Sequence, residues 1–210
     1  MIWAVLLALT TGVPALGCYT GLTIIPTAET IEPGKYGIEM QFDGAFAQGN
    51  AHTHIFNTEF GLVPRLEVGV DFDLSQGTDS RVLLNAKYLL LAAGKNTPAL
   101  ALGICSVAHG LKSSPYFVAT YDFGALRGHL GSTIMDGNNR WFIGADRALT
   151  DKLTLMADYT SGEENFSSFG FSYQFNDHFG VMAGALFPNA GNEETGFTIH
   201  FVFNQQFRKA

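Results

Sequence analysis

From Lys35 onward the chain is a succession of segments in which apolar and polar residues alternate one by one, each about 8 to 11 residues long and bounded by turn residues. A period of two places successive side chains on opposite faces of a strand, whereas a helix needs a period near 3.6. The cleanest segment sets Leu66, Val68, Val70, Phe72 and Leu74 against Glu67, Gly69, Asp71 and Asp73. Tyr36, Ile38, Met40 and Phe42 oppose Glu39, Gln41 and Asp43 in the same way, and Phe197, Ile199, Phe201 and Phe203 oppose Thr198, His200 and Val202. Twelve such segments can be counted, and only Tyr116 to Asp122 shows no clear choice of face. An even number of antiparallel strands returns both chain ends to one side.

Alternation does not say which face meets water. A soluble sandwich or lipocalin-like barrel would bury the apolar face, whereas a membrane barrel turns it to lipid. The 210 residues are 47% hydrophobic and 13% aromatic, with 18 Phe, but only 15% charged, which fits an all-β membrane protein. No apolar stretch after the N-terminus approaches the roughly 20 residues of a spanning helix. In hydrocarbon every backbone group must be paired, so an open sheet would leave two bare edges and closure is required. The expected fold is therefore a closed antiparallel transmembrane β-barrel of about twelve strands, over 35–210, in a bacterial outer membrane. The links after the second, sixth, eighth and tenth strands are short, and the alternate links, including Met135 to Asn139, are expected to be longer outer loops.

Under that reading the lumen is lined by Glu39, Asp43, Glu59, Glu67, Asp71, Asp73, Asp146 and Asp158, with His129 and with Lys87 and Arg127 as the fixed cations. The interior is acidic, which predicts a preference for cations if it is open and a plugged barrel if the carboxylates pair with Lys87 and Arg127. Because His200 faces the lumen, its replacement is expected to be mild, in contrast to a lysine at the lipid-facing Phe201.

Residues 1–17 carry an apolar core and end in Ala15-Leu16-Gly17, the pattern of a cleaved export signal, although no Lys or Arg precedes the core. Cys18 follows, so chance placement, lipidation and a disulfide to Cys105 all stay open. In the leader, 18–34, Pro26 and Pro33 forbid regular pairing while Leu22, Ile24 and Ile25 need burial, which points to a plug in the barrel mouth or a cap on its periplasmic rim.

Gly21-Leu22-Thr23-Ile24-Ile25-Pro26-Thr27-Ala28, the hairpin Phe60 to Gly69 and Asn85-Ala86-Lys87-Tyr88 resemble the YjbH-like outer-membrane barrels associated with exopolysaccharide operons. That resemblance implies a role in envelope or exopolysaccharide export, with an export-complex partner and no catalytic residues to transfer. Glu194 to Phe201, with Gly196, Ile199 and Phe201 at the key positions, resembles the β-signal read by the barrel-assembly machinery, although Asn204 to Ala210 follow it.

A net charge of -7 speaks against a nucleic-acid partner. His52 and His54 share a face and with His109 present a metal-ligand pattern, but polar rim residues explain them as well, and no metal is assigned. A membrane phospholipase would need Ser and His together on the outer face, and no His-x-Ser pair occurs on any strand. No enzyme and no cofactor is expected. The function classes left open are a pore, a structural or partner-binding barrel with a closed lumen, and a soluble exported barrel that binds a small ligand.

Overall fold

The computed structural model describes residues 20–47, 50–75, 81–191 and 194–206. Residues 1–19, which hold the expected export signal and Cys18, lie outside them. Twelve strands follow in order: β1 (Lys35–Ala45), β2 (Asn50–Val63), β3 (Leu66–Asp73), β4 (Arg81–Leu91), β5 (Ala99–Val107), β6 (Ser114–Asp122), β7 (Arg127–Met135), β8 (Asn138–Ala148), β9 (Leu153–Thr160), β10 (Phe166–Gln174), β11 (Phe179–Pro188) and β12 (Gly196–Gln206). Each pairs antiparallel with its neighbours in sequence, and β1 pairs with β12, so the sheet closes. Closure satisfies the backbone of every strand without leaving an edge.

The registers fix the faces. Glu39 on β1 lies opposite Asn57 on β2, which lies opposite Asp71 on β3, and all three side chains are buried. The alternate residues around the barrel point out: Leu130 on β7 is 58% exposed, Trp141 on β8 51% and Phe169 on β10 57%, whereas Lys87 and Glu59 are each 2% exposed. Carboxylates and an ammonium inside, with leucines and aromatic rings outside, is the inverse of a soluble fold. Full burial of a large apolar side chain gains about 1.5–3 kcal/mol, and lipid supplies roughly half of that for each of these half-exposed residues. The exterior is thus a hydrocarbon-facing surface, and the soluble-barrel reading is set aside.

One link departs from the sequence expectations, and one strand whose faces the sequence left open takes a definite orientation. The link after β7 is not a longer loop but the two residues Asp136 and Gly137, with φ of 51° and 87°. Positive φ at both central positions is the geometry that matches the twist of paired strands, and Asp-Gly supplies it at little cost. On β6 the side chains of Tyr116, Val118 and Thr120 point inward and are buried. The choice was obscured because both faces of this strand carry apolar residues.

Candidate functional site

The leader enters the lumen from the end where β1 begins and β12 finishes. Thr20 to Thr27 form a tight hairpin in which Leu22 N–H donates to the Ile25 carbonyl at 2.8 Å and Thr27 N–H to that of Thr20 at 3.2 Å, with Gly21 and Pro26 bridged. Pro26 has no donor to extend the pairing, so the turn stays short. The return leg runs through Ala28 and Ile31 to Gly34, whose φ of 77° aims the chain into β1.

Backbone N–H groups removed from water need acceptors, and the barrel wall supplies them. Asp158 accepts Thr23 N–H at 2.9 Å and Ile24 N–H at 3.3 Å, and is itself held by Ser168 Oγ at 2.6 Å. Thr120 Oγ1 accepts Ala28 N–H at 2.9 Å, and Glu67 accepts Ile31 N–H at 2.8 Å. Lys87 Nζ lies 3.3 Å from Glu67 and donates to the carbonyls of Thr20 and Glu29 at 3.1 and 3.0 Å. Arg127 bridges Asp146 and Glu29, while His129 joins Asp146 to Thr120 at 2.7 and 2.9 Å.

An apolar seat complements these bonds. Leu22, Ile25 and Ala28 belong to one buried cluster with Ala101, Tyr116, Val118, Phe142, Met156 and Met182. Inward glycines let the hairpin approach the wall: a Cβ on Gly144 would lie 2.6 Å from Ile25, and one on Gly184 2.8 Å from Thr23.

The opposite wall carries a second polar network. Glu39 lies 2.9 Å from both Asn57 Nδ2 and His200 Nδ1, and His200 Nε2 lies 2.6 Å from Thr198 Oγ1. A hydroxyl–imidazole–carboxylate chain has the chemistry of a catalytic triad. Here, however, Thr198, His200 and Glu39 are 1%, 4% and 3% exposed, so the chain serves as internal bonding. The expectation that His200 can be replaced cheaply is corrected accordingly, since its loss strips a partner from the buried Glu39. Gln41 Nε2 donates to both oxygens of Asp43, at 2.9 and 3.1 Å, and Asn85 Nδ2 donates to Asp71.

The residues singled out in the sequence thus fall into two groups. Glu67, Lys87, Arg127, His129, Asp146 and Asp158 surround the hairpin, while Glu39, Asp43, Glu59, Asp71 and Asp73 point inward from β1, β2 and β3. Glu59 covers the Cα of Gly69, and Asp73 caps Ser75 N–H at 3.0 Å. Lys87 and Arg127 are not the only inward cations, because the β8 register also turns Arg140 inward, where it pairs with Glu164 at 2.7 Å. Glu164 lies in the loop between β9 and β10, and its own backbone N–H together with Arg140 holds its carboxyl below the usual range. Ser168, Gly144 and Gly184 fall on inward faces by alternation and Thr120 on the undecided strand, but nothing in the sequence marks any of them as a seat for the leader. Gly196 opens β12 opposite Ala45, and Ile199 and Phe201 point outward from it. His54 packs edge-on to Phe42 at 5.4 Å, and the side chain of His52 lies outside the described residues.

No protein-family profile matches this sequence, and no curated protein does. Among solved structures, the KdgM porin in complex with disordered oligogalacturonate matches with a TM-score of 0.61 at 9% identity, over 80% of this chain and 98% of that one. The N-terminal β-barrel domain of Pseudomonas aeruginosa OprF matches with a TM-score of 0.31 at 14% identity, over 83% of this chain and 100% of that one. At 9% identity the likeness to KdgM is one of fold: this chain has the fold of an outer-membrane β-barrel.

Proposed function

We propose that this protein resides in the bacterial outer membrane as a narrow pore closed by its own leader hairpin, and that it prefers cations once the hairpin withdraws. The hairpin seated in the lumen carries this reading, because it turns a porin-like barrel into a shut one. Its hold is largely polar, from wall groups to hairpin backbone, and such bonds can be exchanged for water when the segment leaves. The wall it would uncover is rich in carboxylates, and low-dielectric walls focus their field along the lumen. The oligogalacturonate held by KdgM is a polyanion, which the carboxylates of this lumen would repel, so that ligand is not transferred. Assembly is assigned to the β-signal-like Gly196, Ile199 and Phe201 and to the barrel-assembly machinery that reads such strands.

A second reading rests on the packing of Leu22, Ile25 and Ala28 into the core cluster, which treats the hairpin as a permanent part of the barrel. The protein would then be a closed structural component, in keeping with an accessory role in envelope or exopolysaccharide export. Planar-bilayer recording under a salt gradient separates the two. The full chain should be quiet, and a chain lacking residues 20–31 should conduct with a reversal potential of cation sign. A shortened barrel that inserts but stays silent supports the structural reading, and an anion-selective current contradicts the charge argument.

A further inference from the structure

Residues 20–28 carry no charge, yet the wall meets them with carboxylates and an ammonium. These groups bond to the main chain of the leader. Asp158 accepts two consecutive N–H groups, those of Thr23 and Ile24, and Glu67 accepts that of Ile31, while Thr120 accepts that of Ala28. Lys87 holds the two legs through the carbonyls of Thr20 and Glu29. Bonds to an ionised partner are stronger than those between neutral groups, and in peptide recognition main-chain bonds give affinity while pockets give specificity.

The pockets are notches left by glycine. A Cβ on Gly144 would lie 2.6 Å from Ile25 and 2.7 Å from Leu22, and one on Gly170 3.0 Å from Thr23 Oγ1. The notch at Thr23 does not match its occupant: the residue is 4% exposed and its Oγ1 has no hydrogen-bond partner among the described residues. A buried hydroxyl without a partner is unfavourable, and a methyl group of the same shape suits the notch better. The seat thus holds a peptide backbone well and this particular side chain poorly.

We propose that the lumen is a binding site for short, uncharged aliphatic oligopeptides, which the leader occupies as a tethered stand-in. The ligand enters as a turn from the end where β1 begins, with aliphatic side chains against Gly144 and Gly170 and its N–H groups on Asp158 and Thr120. A tethered hairpin competes at an effective concentration of about millimolar, so a free peptide binds only where the tethered one is released. The inference rests on the withdrawal of the hairpin set out under the proposed function, and not on conduction.

The test uses the full, detergent-folded chain with its leader released by Ile25→Asp, which puts a carboxylate into the apolar cluster; Leu22→Asp serves the same end if that variant does not fold. Release is read from the maleimide reaction of Ala28→Cys as the only thiol, and folding from the mobility of unheated samples on a gel. A fluorescent peptide with the sequence of residues 20–31 should bind the released chain saturably, and the unmodified chain at least tenfold more weakly. Ile25→Asp in the peptide should weaken binding at least tenfold, and Thr23→Val should leave it equal or tighter. Absence of saturable binding by a released chain would overturn the proposal, as would equally tight binding by the unmodified chain or of a peptide of scrambled order. Ala28→Cys as protected in both leader variants as in the unmodified leader would overturn it too, because the seat then takes no second occupant. Peptide binding by a barrel that never conducts would remove only the pore reading, and conduction by a released barrel that binds no peptide would remove only this inference.

Discussion

Replacing Lys87 by methionine is expected to destabilise the folded barrel by about 3–5 kcal/mol, the usual cost of stripping one partner from a buried ion pair. The ammonium is 2% exposed and lies between Glu67 and the carbonyls of Thr20 and Glu29. Without it Glu67 keeps a charge that water cannot reach, and the two legs of the hairpin lose their common tie. Urea unfolding in lipid vesicles measures the loss. Adding Glu67→Gln to Lys87→Met should recover most of it, since the amide still accepts Ile31 N–H but carries no charge to strand. A loss below about 1 kcal/mol for the single variant would place the lysine in contact with water, as in exposed pairs.

A second large effect is expected at Phe201, near the middle of β12, which is 47% exposed on the lipid side and meets Phe42 edge-on at 6.2 Å. A lysine there costs about 2–4 kcal/mol at the bilayer midplane. The amount of heat-modifiable protein in the membrane fraction should fall sharply for Phe201→Lys. Ser172→Ala, at an inward and half-buried position on β10, should assemble normally. His200→Ala is not a neutral control, because it removes a partner from buried Glu39, a loss of about 1–3 kcal/mol. Equal assembly of Phe201→Lys and the unmodified chain would invert the face assignment.

The barrel was legible because one face of nearly every strand has a single physical task, contact with lipid, and Phe169, Phe171 and Tyr173 or Ile38, Met40 and Phe42 record it with period two. The lumen has two tasks and so gave a weaker signal. Where it meets the polar backbone of the hairpin it carries Asp158, Thr120 and Glu67. Where it meets Leu22 and Ile25 it carries Val118, Tyr116 and Phe142. That second demand makes β6 apolar on both faces, which is why its orientation could not be read. The buried tip of the leader follows from its apolar residues and prolines, but its seat does not. Gly144 and Gly184 resemble other strand glycines until Ile25 and Thr23 are placed against them. The turn at Asp136-Gly137 was readable in principle, and the expected asymmetry of loop lengths obscured it.

Occupancy of the lumen by the hairpin is tested most directly by the chemical accessibility of Ala28, which is 1% exposed deep in the seat. In a chain whose only thiol is Ala28→Cys, with Cys18 and Cys105 replaced by alanine, a small water-soluble maleimide should react with the folded protein orders of magnitude more slowly than with the urea-unfolded chain. Equal rates in the folded and unfolded protein would mean that the leader does not occupy the lumen and that the barrel is open.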